Sequence, residues 1–530
     1  MKILSRGVRL PLAAVSGLLA GLAALAVAEL VSAAVRPEAG PVIAVGGAAI
    51  DRTPPAVKDW AIQHFGTNDK FVLQLGILVV LGLLALALGV VALRYRRVGA
   101  AGVLAFGVVG ALAATGRADS TSAADALPSV IGALVAAALL YFLMGRLASL
   151  PAASAAVGDG IDGREPAGWD RRGFVIAASA AAAASAGAGL LGRSLNGSRG
   201  QDAVASRGKV ILPRPASPAA PIPAGAVLHT PGISPFVTPN SDFYRVDTAL
   251  VIPKVDATTW RMKVHGKGVT RPLSLTFQDL LQRQLVERDI TLTCVSNEVG
   301  GPYVGTARWI GVPLADLLKE AGVKPPSRGG SADQLVARSV DGMTIGTPVE
   351  DIMDGRAALL ALGMNGEPLP FVHGFPVRMV VPGLYGYVSA CKWIQDLELT
   401  TFDSYDSYWV KRSWARKAPI KTESRIDTPK PFARPKPGTV MIAGVAWAQH
   451  RGIDRVELRV DDGPWMQADL AAEDTKDTWR QWSLPWKATS GGHTLTVRAT
   501  DRTGQTQTDR RTPTIPDGAS GWHSVVVTVD

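Results

Sequence analysis

Thr291-Leu-Thr-Cys294-Val-Ser-Asn-Glu-Val-Gly-Gly301 places one of only two cysteines in the chain beside a polar, glycine-rich turn. A lone thiolate in such a setting suits a metal ligand better than half of a disulfide. Pairing with Cys391 is the alternative, because two cysteines in an oxidising compartment tend to join.

Two segments further along belong with this turn. They are Met364-Asn-Gly-Glu-Pro-Leu-Pro-Phe-Val-His373-Gly-Phe-Pro-Val-Arg378-Met-Val-Val-Pro-Gly and Tyr385-Gly-Tyr-Val-Ser-Ala-Cys-Lys392-Trp393. In combination the three resemble the sulfite oxidase family of molybdenum-cofactor oxidoreductases, over roughly residues 226–530. The front of the chain lies outside the resemblance.

At 530 residues the chain exceeds one ordinary domain, so two or three folded units are expected. The hydrophobic fraction is 47%, with alanine and aliphatic residues crowded toward the front. Composition therefore divides the protein into a membrane part and a water-soluble part. The net charge is +10, but the basic residues are scattered among acids and no Lys/Arg run is interleaved with aromatics, which argues against nucleic acid as a partner. Two cysteines are too few for a disulfide scaffold, and neither Cys-x-x-Cys nor a His-rich spacing points to zinc.

Five apolar stretches approach the roughly 20 residues that a helix needs to cross a bilayer. They lie near residues 9–34, 71–93, 98–115, 127–148 and 173–191. Lys2, Arg6 and Arg9 lead the first, Arg94, Arg96 and Arg97 join the second to the third, and Arg146, Arg164, Arg171 and Arg172 join the fourth to the fifth. The excess of Lys and Arg on cytoplasmic loops then puts the N-terminus inside and everything after residue 192 outside. Asp170-Arg171-Arg172-Gly-Phe174-Val175 has the form of a twin-arginine export signal, with a plain pair of stop-transfer arginines as the alternative. A cofactor loaded in the cytoplasm favours export, since its domain must cross already folded. His64, His229, His265, His373, His450, His493 and His523 all lie outside the apolar runs, which argues against a b-type haem between helices. No acidic or basic residue suited to an ion path is expected in a span, so the expected role is anchoring rather than transport.

Residues 193–225 end in Pro213-Arg-Pro-Ala-Ser-Pro-Ala-Ala-Pro-Ile-Pro223, a stiff extended linker. From 226 to 412 short β-like and helical runs alternate, predicting an α+β domain. Trp260–Gly266, Leu335–Ser339 and Val377–Val381 read as strands, Pro313–Gly322 as a helix, and Thr276 as the cap of a helix running through Leu285. From 413 to 530 nearly all runs are β-rich and alternating, which predicts an immunoglobulin-like sandwich. The resemblance implies that this last module forms a homodimer interface.

A soft thiolate suits a high-valent molybdenum already carrying pterin dithiolene sulfurs, so Cys294 is the expected metal ligand. The anionic tail of a pterin cofactor demands cations and backbone donors. The resemblance assigns these to Arg378 and Lys392, with His373 on the pterin and the backbone near Ser389 and Ala390. Asn240-Ser-Asp-Phe243-Tyr244 resembles the family's Asn-x-x-Phe-Tyr element against the cofactor, and Asp341 stands where a carboxylate faces the pterin. Taken without the resemblance, His373 reads as a packed loop histidine and Asp341 as a solvated turn residue. Arg308 and Trp309 match the family's Ala-Arg-Trp and are expected to shape the catalytic pocket.

Departures bear on substrate. Sulfite-oxidising members follow the cysteine with Ala-Gly-Asn-Arg-Arg, whereas this chain keeps Asn297 but has Glu298 and Val299 for the arginines, and Ile345 for a tyrosine near the metal. Two lost positive charges and one gained negative charge disfavour an anion, each by about 1 kcal/mol when screened. The expectation is a membrane-anchored, externally facing molybdopterin oxidoreductase that transfers oxygen to or from a small substrate, a sulfoxide or N-oxide rather than sulfite. It needs an electron donor or acceptor as partner. A non-catalytic surface protein that binds a partner through its β-sandwich is the competing reading.

Overall fold

The computed structural model describes residues 6–54, 57, 60, 64–65, 69–117, 119–120, 122–148 and 171–530. Lys2, Arg164 and Asp170, used above for orientation and export, lie outside the described residues. Two compact units divide the chain. One runs to Gln201 and includes Ala249–Val251, and the other holds Asp202–Thr248 and Ile252–Asp530.

Among the described residues five helices are long and apolar enough to cross a membrane: Arg9–Ala34, Lys70–Arg94, Arg96–Thr115, Ala123–Leu147 and Gly173–Gly208. Large apolar side chains face outward, as at Phe71, Leu83 and Leu112, which are 66%, 62% and 68% exposed. Small residues face inward. A Cβ added at Gly17 would meet Ala85 O at 2.1 Å, and one at Gly89 would meet Ala13 O at 2.2 Å, so the first and second helices touch backbone to backbone. This is the packing used where lipid removes the hydrophobic drive between helices.

One feature of the front of the chain was not expected and two expectations are corrected. Pro41–Arg52 forms an additional helix of 12 residues, too short to span. The last helix runs from Arg171 to Gly208, through residues expected to be irregular, because no proline interrupts it before Pro213. Glu29 lies within the helix Arg6–Ala34, where its Oε1 accepts a hydrogen bond from Asn196 Nδ2 at 2.7 Å, so that span does carry an acid.

In the second unit, one five-stranded sheet runs in the order Leu273–Thr276, Arg261–Gly266, Ile394–Thr400, Gln334–Ser339 and Thr344–Pro348. Its second and third strands are parallel, with Val264 opposite Leu397. A second sheet joins Val286–Thr293, Val304–Pro313, Leu359–Met364 and Glu367–Pro368, and Arg378–Val380 also pairs with Leu359–Met364. Trp309, Phe375, Leu360 and Leu397 are among the residues of the core. The proposed helix after Thr276 is short, Phe277–Leu281, although Thr276 and Asp279 form a reciprocal capping box as its sequence implies. The extended Pro-rich segment does not hang free: Ala216 N donates to Leu285 O at 2.8 Å and Glu287 N to Ser217 O at 2.9 Å.

The C-terminal region is β-rich. Two four-stranded antiparallel sheets, one holding Gly438–Trp447 and Arg480–Ala488 and the other Ile453–Val460, Gly491–Asp501 and His523–Val529, share a core that includes Ile442, Trp482, Leu458 and Val497. Burial alternates along His523–Val529, with Val525, Val527 and Val529 inward and Val526 outward.

Candidate active site

Cys294 follows directly on the strand Val286–Thr293, at the head of a loop that returns at Tyr303. Its N–H donates to Tyr303 O at 2.9 Å, and Asn297 N donates to Cys294 O at 3.0 Å. Asn297 Oδ1 accepts from Tyr303 N at 2.8 Å, which explains the asparagine: its side chain closes the loop. Gly300 adopts a φ of +81°, and a Cβ there would strike the His523 ring at 2.2 Å, so the turn requires glycine. Both cysteines are free and buried. Burial pushes the Cys294 thiol up, while Ser296, bonding through its N–H and its hydroxyl, and nearby Lys392 pull it down.

Cys294 lines a cavity that is open to solvent. Of the residues expected at the site, Phe243, Tyr244, Cys294, Asp341, His373, Arg378, Ala390 and Lys392 line it. Phe243 stacks on Tyr244 at 5.2 Å and meets His373 edge-on at 5.6 Å. His373 follows Pro370-Phe-Val in a tight 3₁₀ turn, and its Nε2–H donates to Asn240 O at 2.9 Å. Burial lowers its pKa to about 4, so the ring is neutral with Nδ1 as the remaining acceptor. Asp341 is held by its own turn, accepting from Met343 N at 3.2 Å.

Arg378 carries the strongest demand for a ligand. It opens the strand Arg378–Val380 and is buried, with its guanidinium 5.0 Å from the centre of the Trp309 ring. Nη1 donates to His373 O at 3.2 Å, whereas Nε has no hydrogen-bond partner. Burial pushes its pKa down to about 10. A buried cation without a carboxylate partner among the described residues is costly unless an anion meets it. Lys392 is likewise pushed down to about 8 by burial, and its Nζ pairs with Asp247 Oδ2 at 3.0 Å. Gly374, with φ +111°, lets the Arg378 and Lys392 stems converge, since a Cβ there would lie 3.0 Å from Arg378 Cβ and 3.1 Å from Lys392 Cβ.

Four expected site residues stand outside the cavity lining. Arg308 pairs with Asp289 on the neighbouring strand, Nη2 to Oδ2 at 2.7 Å. Trp309 points the other way, fully buried behind Arg378, with Nε1 donating to Ile290 O at 3.1 Å. Asn240 uses its side chain on Glu367 at 2.6 Å and offers the site only its carbonyl, to His373. Ser389 spends its hydroxyl on Leu384 O and Tyr385 O at 2.9 and 3.0 Å. Glu298 also corrects the charge argument: it is exposed and outside the cavity lining, so solvent screens it. What remains of that argument is the loss of positive charge.

Sequence reading missed Asp247, Tyr387, Trp409 and Trp414, all of which line the cavity. The signal for Asp247 was Arg245-Val-Asp247, three residues past Tyr244, where an acid would balance a buried cation. For Trp409 and Trp414 it was the aromatic density of residues 405–414, and for Tyr387 the Tyr385-Gly-Tyr387 run.

The C-terminal β-rich region supports the loop from behind. Arg425 donates from Nη1 to Gly301 O at 2.8 Å, from Nη2 to Ser234 Oγ at 2.9 Å and from Nε to Asp427 Oδ1 at 2.7 Å. Gln449 Nε2 donates to Thr291 O and Thr293 Oγ1, each at 3.0 Å.

No cluster of three or more His, Cys, Asp or Glu among the described residues could hold a metal ion by itself. A single cysteine sulfur beside a cavity with a buried guanidinium lacking a carboxylate partner, a second buried cation and a neutral histidine instead fits a metal whose other ligands arrive on an anionic organic cofactor. Residues 249–409 match the oxidoreductase molybdopterin binding domain. The chain is 32% identical over 293 residues to the mitochondrial sulfite oxidase of Mus musculus, covering 47% of this chain and 53% of that one. It is 30% identical over 324 residues to the sulfite oxidase of Gallus gallus, covering 52% of this chain and 69% of that one. It thus spans about half the length of the mouse relative. The sulfane dehydrogenase SoxCD of Paracoccus pantotrophus is similar over 56% of this chain and 83% of that one, at 25% identity and a TM-score of 0.48.

Proposed function

We propose that this chain, which belongs to the sulfite oxidase family of molybdopterin-dependent oxidoreductases, is a membrane-anchored enzyme that reduces a small neutral oxide, a sulfoxide or N-oxide, on the outer side of the membrane. When bound, the molybdenum–pterin cofactor supplies a two-electron centre competent for oxygen-atom transfer. The residues around it bind, orient and shield. Cys294 is the protein ligand to the metal. Arg378 and Lys392 take the anionic tail, His373 presents Nδ1 toward the pterin, and Phe243 and Tyr244 form an apolar wall. The balance of the reaction is R₂SO + 2e⁻ + 2H⁺ → R₂S + H₂O, with electrons from a quinol or a reduced dye.

The observation that carries the substrate reading is the charge inventory of the cavity. Its lining contains Arg378 and Lys392 and no other Lys or Arg. Both are committed to the cofactor tail, so an anionic substrate finds no cation of its own, while tyrosine, tryptophan and isoleucine surround a neutral one. The outward placement of the enzyme rests on the Arg-rich loops of the front region. The paired β-sheets of the C-terminus are read as an immunoglobulin-like module through which two copies join. The test uses full-length protein from a cofactor-competent host, assayed with reduced viologen against sulfoxides and N-oxides, and with sulfite plus ferricyanide. Oxide reduction faster than sulfite oxidation supports the reading, and the reverse order sinks it.

A further inference from the structure

The turn Trp409–Trp414 brings two indoles into the cavity wall. The Trp409 carbonyl accepts from Arg412 N at 2.9 Å and Trp414 N at 3.2 Å, closing the turn, while Ser413 takes a φ of +69°. The rings of Trp409 and Trp414 then lie 6.1 Å apart at 80°, and Trp414 lies 5.6 Å from Tyr387 at 51°. The Tyr387 hydroxyl donates to Ala415 O at 2.7 Å, which ties its ring to the same segment. All three rings belong to the cavity that Cys294 lines. They are set as walls meeting at a corner.

Other rings nearby already carry a cation. Arg412 sits 3.5 Å over Tyr408, Lys411 5.1 Å over Tyr405 and Lys417 5.9 Å over Phe402. Among the described residues no lysine or arginine lies over Tyr387, Trp409 or Trp414. All three residues line the cavity, whose lining also includes Asp341 and Asp247, the latter paired with Lys392 and Arg245. Aromatic walls at steep angles, free of protein cations, match an alkylated positive centre, because the ring quadrupole attracts cations and the rings bury methyl groups.

We propose that Tyr387, Trp409 and Trp414 form a subsite for an onium group, so that the enzyme prefers tertiary amine N-oxides to dialkyl sulfoxides. An amine oxide carries a formal positive charge on nitrogen and three alkyl groups, whereas a sulfoxide sulfur carries a partial charge and two. The preference rests on the oxide reading above, but binding of an onium ion does not.

The experiment therefore uses tetramethylammonium, which has no oxygen to transfer, as a binding probe with the holoenzyme in detergent, and compares trimethylamine N-oxide with dimethyl sulfoxide as substrates. Tetramethylammonium binds the native enzyme, and Trp414→Leu weakens it about tenfold while Trp414→Phe nearly restores it, with molybdenum content equal in all three. Where oxides are reduced, Trp414→Leu raises KM for the amine oxide several times more than for the sulfoxide and leaves kcat close to native. Tryptophan-dependent binding without any oxide reduction supports the subsite and defeats the oxide reading. Absence of tetramethylammonium binding, or equal binding by native and Trp409→Leu/Trp414→Leu protein, overturns the subsite.

Discussion

The front and the back of the Cys294 loop are built by different parts of the chain and held by different physics. On the front, the cavity gathers charged and aromatic groups from separated loops, with Arg378 left partly unpaired and Lys392 paired with Asp247. On the back, Arg425 spends Nε, Nη1 and Nη2 on Asp427, Gly301 and Ser234, and Gln449 Nε2 bonds Thr291 and Thr293, while Gln449 Oε1 stays without a partner. The faces differ in charge: a buried guanidinium without a carboxylate partner marks the one that binds a ligand, and a buried guanidinium paired with Asp427 marks the one that holds a shape.

Substitutions on each face sharpen that contrast. Cys294→Ser removes the protein ligand to the metal, so turnover should fall at least about a thousandfold, beyond the ten- to hundredfold cost of a supporting contact. Oxide assays and metal analysis on the same preparation check this. Arg425→Ala leaves Asp427 buried without its partner and should cost about 3 kcal/mol of stability. Its molybdenum content after purification at low temperature should stay near native. Thermal unfolding measures the first, and a loss of metal equal to that of Cys294→Ser would erase the distinction between the faces.

Arg378→Gln should do the opposite. It relieves a buried charge, so stability holds or rises, while loss of a charge-assisted contact of about 2 kcal/mol lowers cofactor retention roughly thirtyfold. Cofactor release on dilution is the readout. A melting temperature that drops with unchanged retention would assign Arg378 to the scaffold.

Glu423, buried at the start of the C-terminal strand Glu423–Thr428 with Oε2 unpartnered, gives that region a pH signature. Burial raises its carboxyl to about 8. The folded chain then keeps a proton that the unfolded chain has lost above about pH 4.3. Stability is complete below that value and declines as pH rises through about 8, by at most about 1.4 kcal/mol per pH unit. Glu423→Gln should flatten melting curves between pH 6 and 9. An unchanged slope would show the carboxylate to be solvated. The smallest effect is expected at Glu298, whose replacement by Gln should change KM for sulfite or any oxide less than about twofold. A larger change would return it to the substrate path.

Much was legible because it is local. Thr276 announces a helix cap, and the β-branched run His523–Val529 announces a strand. Other features depend on partners far along the chain. Asp247 meets Lys392 across 145 residues, and the acid just past Tyr244 does not by itself say which cation it balances. Glu29 was overlooked inside an apolar run because the average hydropathy of a span hides one acid, which here is met by Asn196.

The sequence by itself determined that five long apolar stretches precede a more polar, β-rich part and that Cys294 sits in a polar, glycine-rich turn as a ligand candidate. These follow from residue type and short spacing, which act over a few residues, whereas the grouping of His373, Arg378 and Lys392 came from the family resemblance. Only the tertiary structure decided that Arg308 and Trp309, adjacent in sequence, serve opposite faces, one paired with Asp289 and the other behind Arg378. The reason is the pleat: successive side chains of a strand point to opposite sides, and which side meets the cavity depends on how the whole sheet packs.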